Sequence, residues 1–142
     1  MQRFPRRTWL APLAVLLAAC ATTPREPPPK PFAGTHWNAV LELPPAGEKP
    51  WVRFGDGRME GFGGCNRIAA RYVQDAVGAH AIAIGRIRKG FEACDRSTRD
   101  AQDRFLEVLQ SVSSYTIVGD AMSMSGSAGT VRFRAAGGEA RK

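Results

Sequence analysis

Between Thr35 and Arg134 the apolar residues of this chain recur at every second position in run after run, and only once does the period lengthen to a helical one. Alternation sends successive side chains to opposite faces, so each such run reads as a half-buried strand with a defined inside. Thr35 to Leu43 places Trp37, Ala39, Leu41 and Leu43 on one face and His36, Asn38 and Glu42 on the other. Trp51 to Phe54 forms a second strand that ends at Gly55-Asp56-Gly57, where the Asp-Gly pair favours a tight hairpin turn. A longer run from Arg58 to Gln74 puts Ile68, Ala70 and Tyr72 inside and Arg67, Ala69 and Arg71 outside. It is interrupted at Gly61, Gly63 and Gly64, where a bulge or sharp bend is expected. Asp75 to Gly78 then turns the chain into a strand from His80 to Ile84. Three short strands, at 115–118, 121–125 and 130–134, complete the pattern, with Met122 and Met124 alternating with serine as core residues.

Over residues 97–113 the period changes. Ala101, Phe105, Val108, Leu109 and Val112 recur at helical spacing, with Arg99, Asp100, Asp103, Arg104 and Glu107 on the remaining faces. Ser97 is the expected N-cap, and Asp100 complements the helix dipole. Many strands with one late helix predict an α+β fold: a curved antiparallel β-sheet or half-barrel with the helix at 97–113 packed against it. Residues 32–135 have the size of one small domain with a modest core, and residues 136–142 read as a flexible tail.

The N-terminus belongs to a different regime. Arg3, Arg6 and Arg7 precede a mostly apolar run from Trp9 to Leu17, which closes on Leu17-Ala18-Ala19-Cys20. A charged start, a short apolar stretch and small residues describe a secretory signal, here residues 1–19; the run is too short for a bilayer core of roughly 30 Å. Leu-Ala-Ala-Cys resembles a bacterial lipobox, which implies a diacylglyceryl thioether on Cys20, cleavage before it and acylation, for example with palmitate, of the new amino end. An ordinary signal peptide cut near Ala19 or Ala21, leaving Cys20 as a thiol, is the alternative. Arg6-Arg7 matches a twin-arginine export signal poorly. Ala21 to Pro31 is half proline and should be an extended, solvated tether, so residues 20–31 are anchor and spacer. Ala21 beside Cys20 fits sorting to the outer membrane, facing the periplasm.

The formal net charge is +7, and removing the signal subtracts three arginines and no acid. An exported chain does not meet chromosomal DNA, so nucleic acid is not an expected partner. Lipid headgroups, lipopolysaccharide and cell-wall polymer are the polyanions within reach. Arg67, Arg71, Arg86, Arg88, Lys89, Arg132 and Arg134 occupy outward strand positions. They would form a basic stripe if their strands were neighbours, and a solvated face otherwise.

The order Gly34-Thr35-His36-Trp37, Gly64-Cys65-Asn66-Arg67, Ala93-Cys94 and Phe105-Leu106 resembles the META domain, the family of the heat-inducible HslJ-like lipoproteins. The resemblance covers about Phe32 to Phe133. The family's usual Thr-Arg/Lys-Met before the second cysteine is replaced by Lys89-Gly90-Phe91-Glu92. Cys65 and Cys94 are expected to form a disulfide, since the periplasm is oxidising; two reduced buried cysteines are the alternative. A catalytic reading would take Cys65 as nucleophile, His36 or His80 as base and Asn66 as orienter. Yet His36 lies on the outward face and a disulfide sulfur offers no thiolate, so no catalytic residue is assigned. Asn66 reads instead as a turn or capping residue that tolerates left-handed geometry. Two distant histidines without clustered carboxylates predict no metal, and no cofactor is expected. The resemblance implies a non-enzymatic envelope lipoprotein linked to heat or antibiotic stress, presenting a binding surface to an envelope protein or anionic envelope polymer. A pilot-like lipoprotein that escorts an outer-membrane or secretion component is the runner-up, and would use a cleft lined by Trp37, Phe62 and Met122.

Overall fold

The computed structural model describes residues 24–42, 47–74 and 80–137. The expectations for the signal, Cys20, Leu43, the turn at 75–78 and the tail at 138–142 lie outside the described residues. The elements run β1 (His36–Val40), β2 (Trp51–Gly55), β3 (Arg58–Phe62), β4 (Arg67–Gln74), β5 (Ile82–Ile84), β6 (Arg88–Lys89), α1 (Arg96–Ser111), β7 (Val112–Val118), β8 (Ala121–Gly126) and β9 (Gly129–Ala135). The named strands pair antiparallel in the order β5-β4-β3-β2-β1-β9-β8-β7, with β6 added to β4. The two ends of this row nearly meet. Ala81 bridges Ser114, and the Tyr115 N–H donates to the His80 carbonyl at 3.0 Å. The expected curved sheet therefore wraps into a nearly closed barrel, which leaves little edge unpaired.

Alternation decides what fills it. Trp37, Val52, Phe54, Met59, Ile68, Tyr72, Met122, Met124 and Phe133 point inward and are buried, while Arg53, Glu60, Arg71 and Arg132 point outward. Asp56 and Gly57 have φ of 49° and 70°, the paired positive values of a two-residue hairpin turn whose twist suits the flanking strands. α1 lays Gln102, Phe105 and Leu109 on the sheet, and Phe105 meets Phe133 edge-on at 6.3 Å.

The tether is anchored to the barrel. Phe32 stacks on Phe54 with centroids 4.4 Å apart and lies 4.5 Å from Tyr115. Around it, the Trp37 Nε1–H donates to the Phe32 carbonyl, the Gly34 N–H to the Phe54 carbonyl, and the Lys30 N–H to the Gly119 carbonyl. These contacts put the tether junction at the end of the barrel that carries the β2–β3 turn.

Several expectations change. The run 58–74 is two strands, because Phe62 pairs with Arg67 and the glycine stretch reverses the chain completely. β1 stops at Val40, its last pairing with β9, so Leu41 is 37% exposed and not core. Ala101 is exposed and Gln102 takes the buried position beside it, while Val112, buried as expected, is both the helix C-cap and the first residue of β7. Trp37 and Met122 are 0% and 1% exposed, so no cleft forms between them and Phe62. The N-cap is Asp95, not Ser97: its carboxylate accepts from the Thr98 N–H at 3.2 Å and from the hydroxyls of Ser97 and Thr98.

Those bonds, first from Ser97 and then from Thr98, lower the Asp95 pKa from 3.8 to about 2. A depressed folded-state pKa means stabilisation that is complete above 3.8 and lost as pH falls through about 2. Asp95→Ala should therefore lower the thermal midpoint at neutral pH, and the gap between variant and wild type should shrink as pH falls from about 4 to about 2, measured by circular dichroism.

Candidate functional site

Two constellations are candidates: the Gly-Cys-Asn-Arg turn and an arginine cleft. The turn is a structural node. Cys65 is joined to Cys94 with Cα atoms 6.1 Å apart, tying the β3–β4 reversal to the segment that opens α1. Gln102 of α1 reaches the same turn, where its Oε1 accepts from the N–H groups of Cys65 at 3.2 Å and Asn66 at 2.8 Å. A side chain on Gly63 would sit 2.6 Å from that oxygen, and Gly64 adopts φ +110°, so both positions need glycine. Asn66 is 5% exposed; its Nδ2 donates to Cys65 Sγ at 3.1 Å and its Oδ1 accepts from the Glu92 N–H at 2.8 Å. It caps backbone across the disulfide loop, one of the two roles expected from the sequence, and does so without positive φ. The replaced segment 89–92 keeps its backbone tied here, since the Gly90 N–H also donates to the Arg67 carbonyl at 3.0 Å. Arg67 projects outward with its guanidinium 5.5 Å from the Trp51 ring centroid.

The catalytic candidates are not gathered into one arrangement. Cys65 Sγ is bonded to Cys94, His36 stacks on Trp51 at 4.3 Å, and His80 packs edge-on against Tyr115. Among the described residues no cluster of three or more metal-ligating side chains forms.

The basic residues divide. Arg134 pairs with Asp120, and Lys89 with Asp103. Arg132 lies on β9, separated from β4 by three strands. Arg71, Arg86 and Arg88 do come together, with Arg58, around a cleft of about 480 Å³ floored by Ala69, Ala70 and Gly85. The cause is the double pairing of β4. Its Tyr72–Gln74 end binds β5, its Ile68–Ala69 end binds β6, and residues 85–87 between them leave the sheet around the Gly85 N–H to Arg71 carbonyl bond at 2.8 Å. Arg58 stands directly opposite Arg71 in the β3–β4 ladder. Like charges at such a position repel. The nearby Glu60, two residues along β3, is turned to Arg53 instead. Among the described residues no carboxylate lines the cleft. Sequence reading missed Arg58 because its neighbour depends on the β3–β4 register. It missed Gln102 because only apolar residues were used to define the buried helix face, although Gln102, Phe105 and Leu109 share helical spacing.

A family model, the META domain, matches residues 30–137. No curated protein matches the chain. Among solved structures, the chain is similar to one described as the NMR structure of the protein from Burkholderia xenovorans, with a TM-score of 0.58 and 15% sequence identity over 96% of this chain and 99% of that one. At that identity the likeness concerns the fold.

Removing the clamp with Cys65→Ala and Cys94→Ala should lower unfolding free energy by about 3–4 kcal/mol in urea titration, the chain-entropy value for a loop of this size. Arg71→Gln should do the reverse, raising stability by about 0.2–1 kcal/mol at low salt as the opposed charges are relieved, with the gain fading at high salt.

Proposed function

The chain belongs to the META domain family, and from that premise we propose that it is a lipid-anchored cell-envelope protein whose barrel presents a basic binding surface, without catalysis of its own. The observation that carries this reading is the arginine cleft together with its place. Arg58 follows the β2–β3 turn and Arg71 precedes Tyr72, so the cleft opens on the outer wall beside the aromatic seat of Phe32, where the tether joins. A tether holding its surface towards an envelope polyanion needs that arrangement: cations near the attachment and a seat that fixes the domain's orientation. Residues 24–31 are exposed, and an extended tether of this kind, at about 3 Å per residue, reaches a few tens of ångströms from Cys20. An outer-membrane location facing the periplasm and a part in heat or antibiotic stress follow from the lipobox-like sequence and the family resemblance.

The absence of a catalytic role is supported by the separate engagements of Cys65, His36 and His80. No helix of the described residues is long and apolar enough to cross a membrane.

The test is intact mass of protein extracted from the bacterial envelope, with metabolic labelling by an alkyne fatty acid. The expected chain begins at Cys20 and carries diacylglyceryl and acyl groups, and Cys20→Ala should lose the label and retain residues 1–19. An unacylated chain, or one whose first residue is not Cys20, would sink the anchored reading.

A further inference from the structure

The cleft has a chemistry more specific than basic. Arg58 and Arg71 face each other across a two-strand ladder, while Arg86 comes from the connection between β5 and β6 and Arg88 from β6 itself, opposite Ala69. Four arginines thus line a cleft of about 480 Å³, the scale of a small-molecule site and not of a folded partner's surface. The other lining residues, Ala69, Ala70 and Gly85, add no charge and no bulky side chain. The outer-face acid nearest along β3, Glu60, is held by Arg53. Guanidinium is planar, always charged and suited to bidentate contact with phosphate oxygens, and several together match a dianion better than a single carboxylate.

We propose that this cleft binds a phosphate monoester, with Arg58 and Arg71 gripping the phosphate from the barrel wall and Arg86 and Arg88 completing the site. The inference deepens the anchored-module reading and rests on its claim that the partner is anionic. Since the cleft lies beside the tether junction, phosphate on a lipid headgroup and phosphate on a soluble ligand are both within reach, and the experiment separates them.

The full mature protein, extracted in neutral detergent, is titrated calorimetrically with inorganic phosphate, glycerol 3-phosphate and succinate, and separately with micelles doped with phosphatidic acid or phosphatidylcholine. Saturable binding of the phosphate monoesters is expected, weakened at least about tenfold in Arg58→Gln/Arg71→Gln and in Arg86→Gln/Arg88→Gln, since a charge-assisted hydrogen bond is lost in each. Arg132→Gln on the far side should leave it unchanged. Near-ultraviolet circular dichroism checks that each variant is folded, which the exposed positions of these arginines favour. Much tighter binding of phosphatidic acid than of glycerol 3-phosphate identifies a lipid headgroup; equal binding identifies a soluble phosphate. Succinate binding as tightly as phosphate, absence of saturable binding, or binding indifferent to both double variants would overturn the proposal. Because acylation of Cys20 is scored on the same preparation by mass, an empty cleft on an anchored protein counts against the phosphate site alone, and a filled cleft on an unanchored chain counts against the tether alone.

Discussion

The contact on which the rest of this fold depends is the junction between α1 and the β3–β4 turn, made by the Cys65–Cys94 bond and the Gln102 amide. A helix of 16 residues is marginal by itself in water and takes its stability from packing. The strands it covers, β5, β8 and β9, are short and lie on either side of it in the chain, and the sheet that holds them pairs β1 with β9, so its assembly depends on sequence-distant contacts. Joining Cys65 to Cys94 shortens the search for one of those contacts, and Gln102 satisfies two buried N–H groups that a tight glycine turn would otherwise leave unpaired. Asn66 then binds the descending segment at Glu92. The motif that looks most like an active site in the sequence is thus occupied with holding a turn, a helix and a loop together.

The opposite end of the barrel carries the tether junction and, in the proposed function, the binding surface. Phe32 seats the tether among Phe54, Tyr72 and Tyr115, at the turn opposite the disulfide along β3 and β4. The arginine cleft lies on the outer wall nearby, where β4 changes partner from β5 to β6. Opposed arginines cost stability in a sheet, and a placement that costs stability without packing benefit is where a ligand-facing role is to be sought. The same wall shows what a purely structural solution looks like, because Arg53 stands opposite Glu60 and is paired with it.

The period-2 pattern of 36–40, 51–55 and 129–135, the Asp56-Gly57 turn and the helical period near 97–111 were all legible, since each is a local property: side-chain alternation, positive φ and amphipathic spacing. The N-cap slipped from Ser97 to Asp95 because both can accept a backbone N–H, and only the course of the chain after Cys94 decides which carboxylate or hydroxyl faces it. Leu41 looked apolar and inward by parity, but parity has no meaning where the partner strand ends.

The sequence by itself determined that strands alternate inside and outside, that one helix interrupts their succession, and that two cysteines are available, one of them beside a glycine-rich bend. It did so because burial of one face and backbone geometry are encoded within a few residues. Tertiary structure decided the rest: that the sheet wraps until Ala81 meets Ser114, that Gln102 belongs inside, and that Arg58 stands against Arg71 with Arg86 and Arg88 beside them. Register between strands and closure of a barrel are set by contacts far apart in the chain, and charges distributed over three segments become one site only when those contacts form.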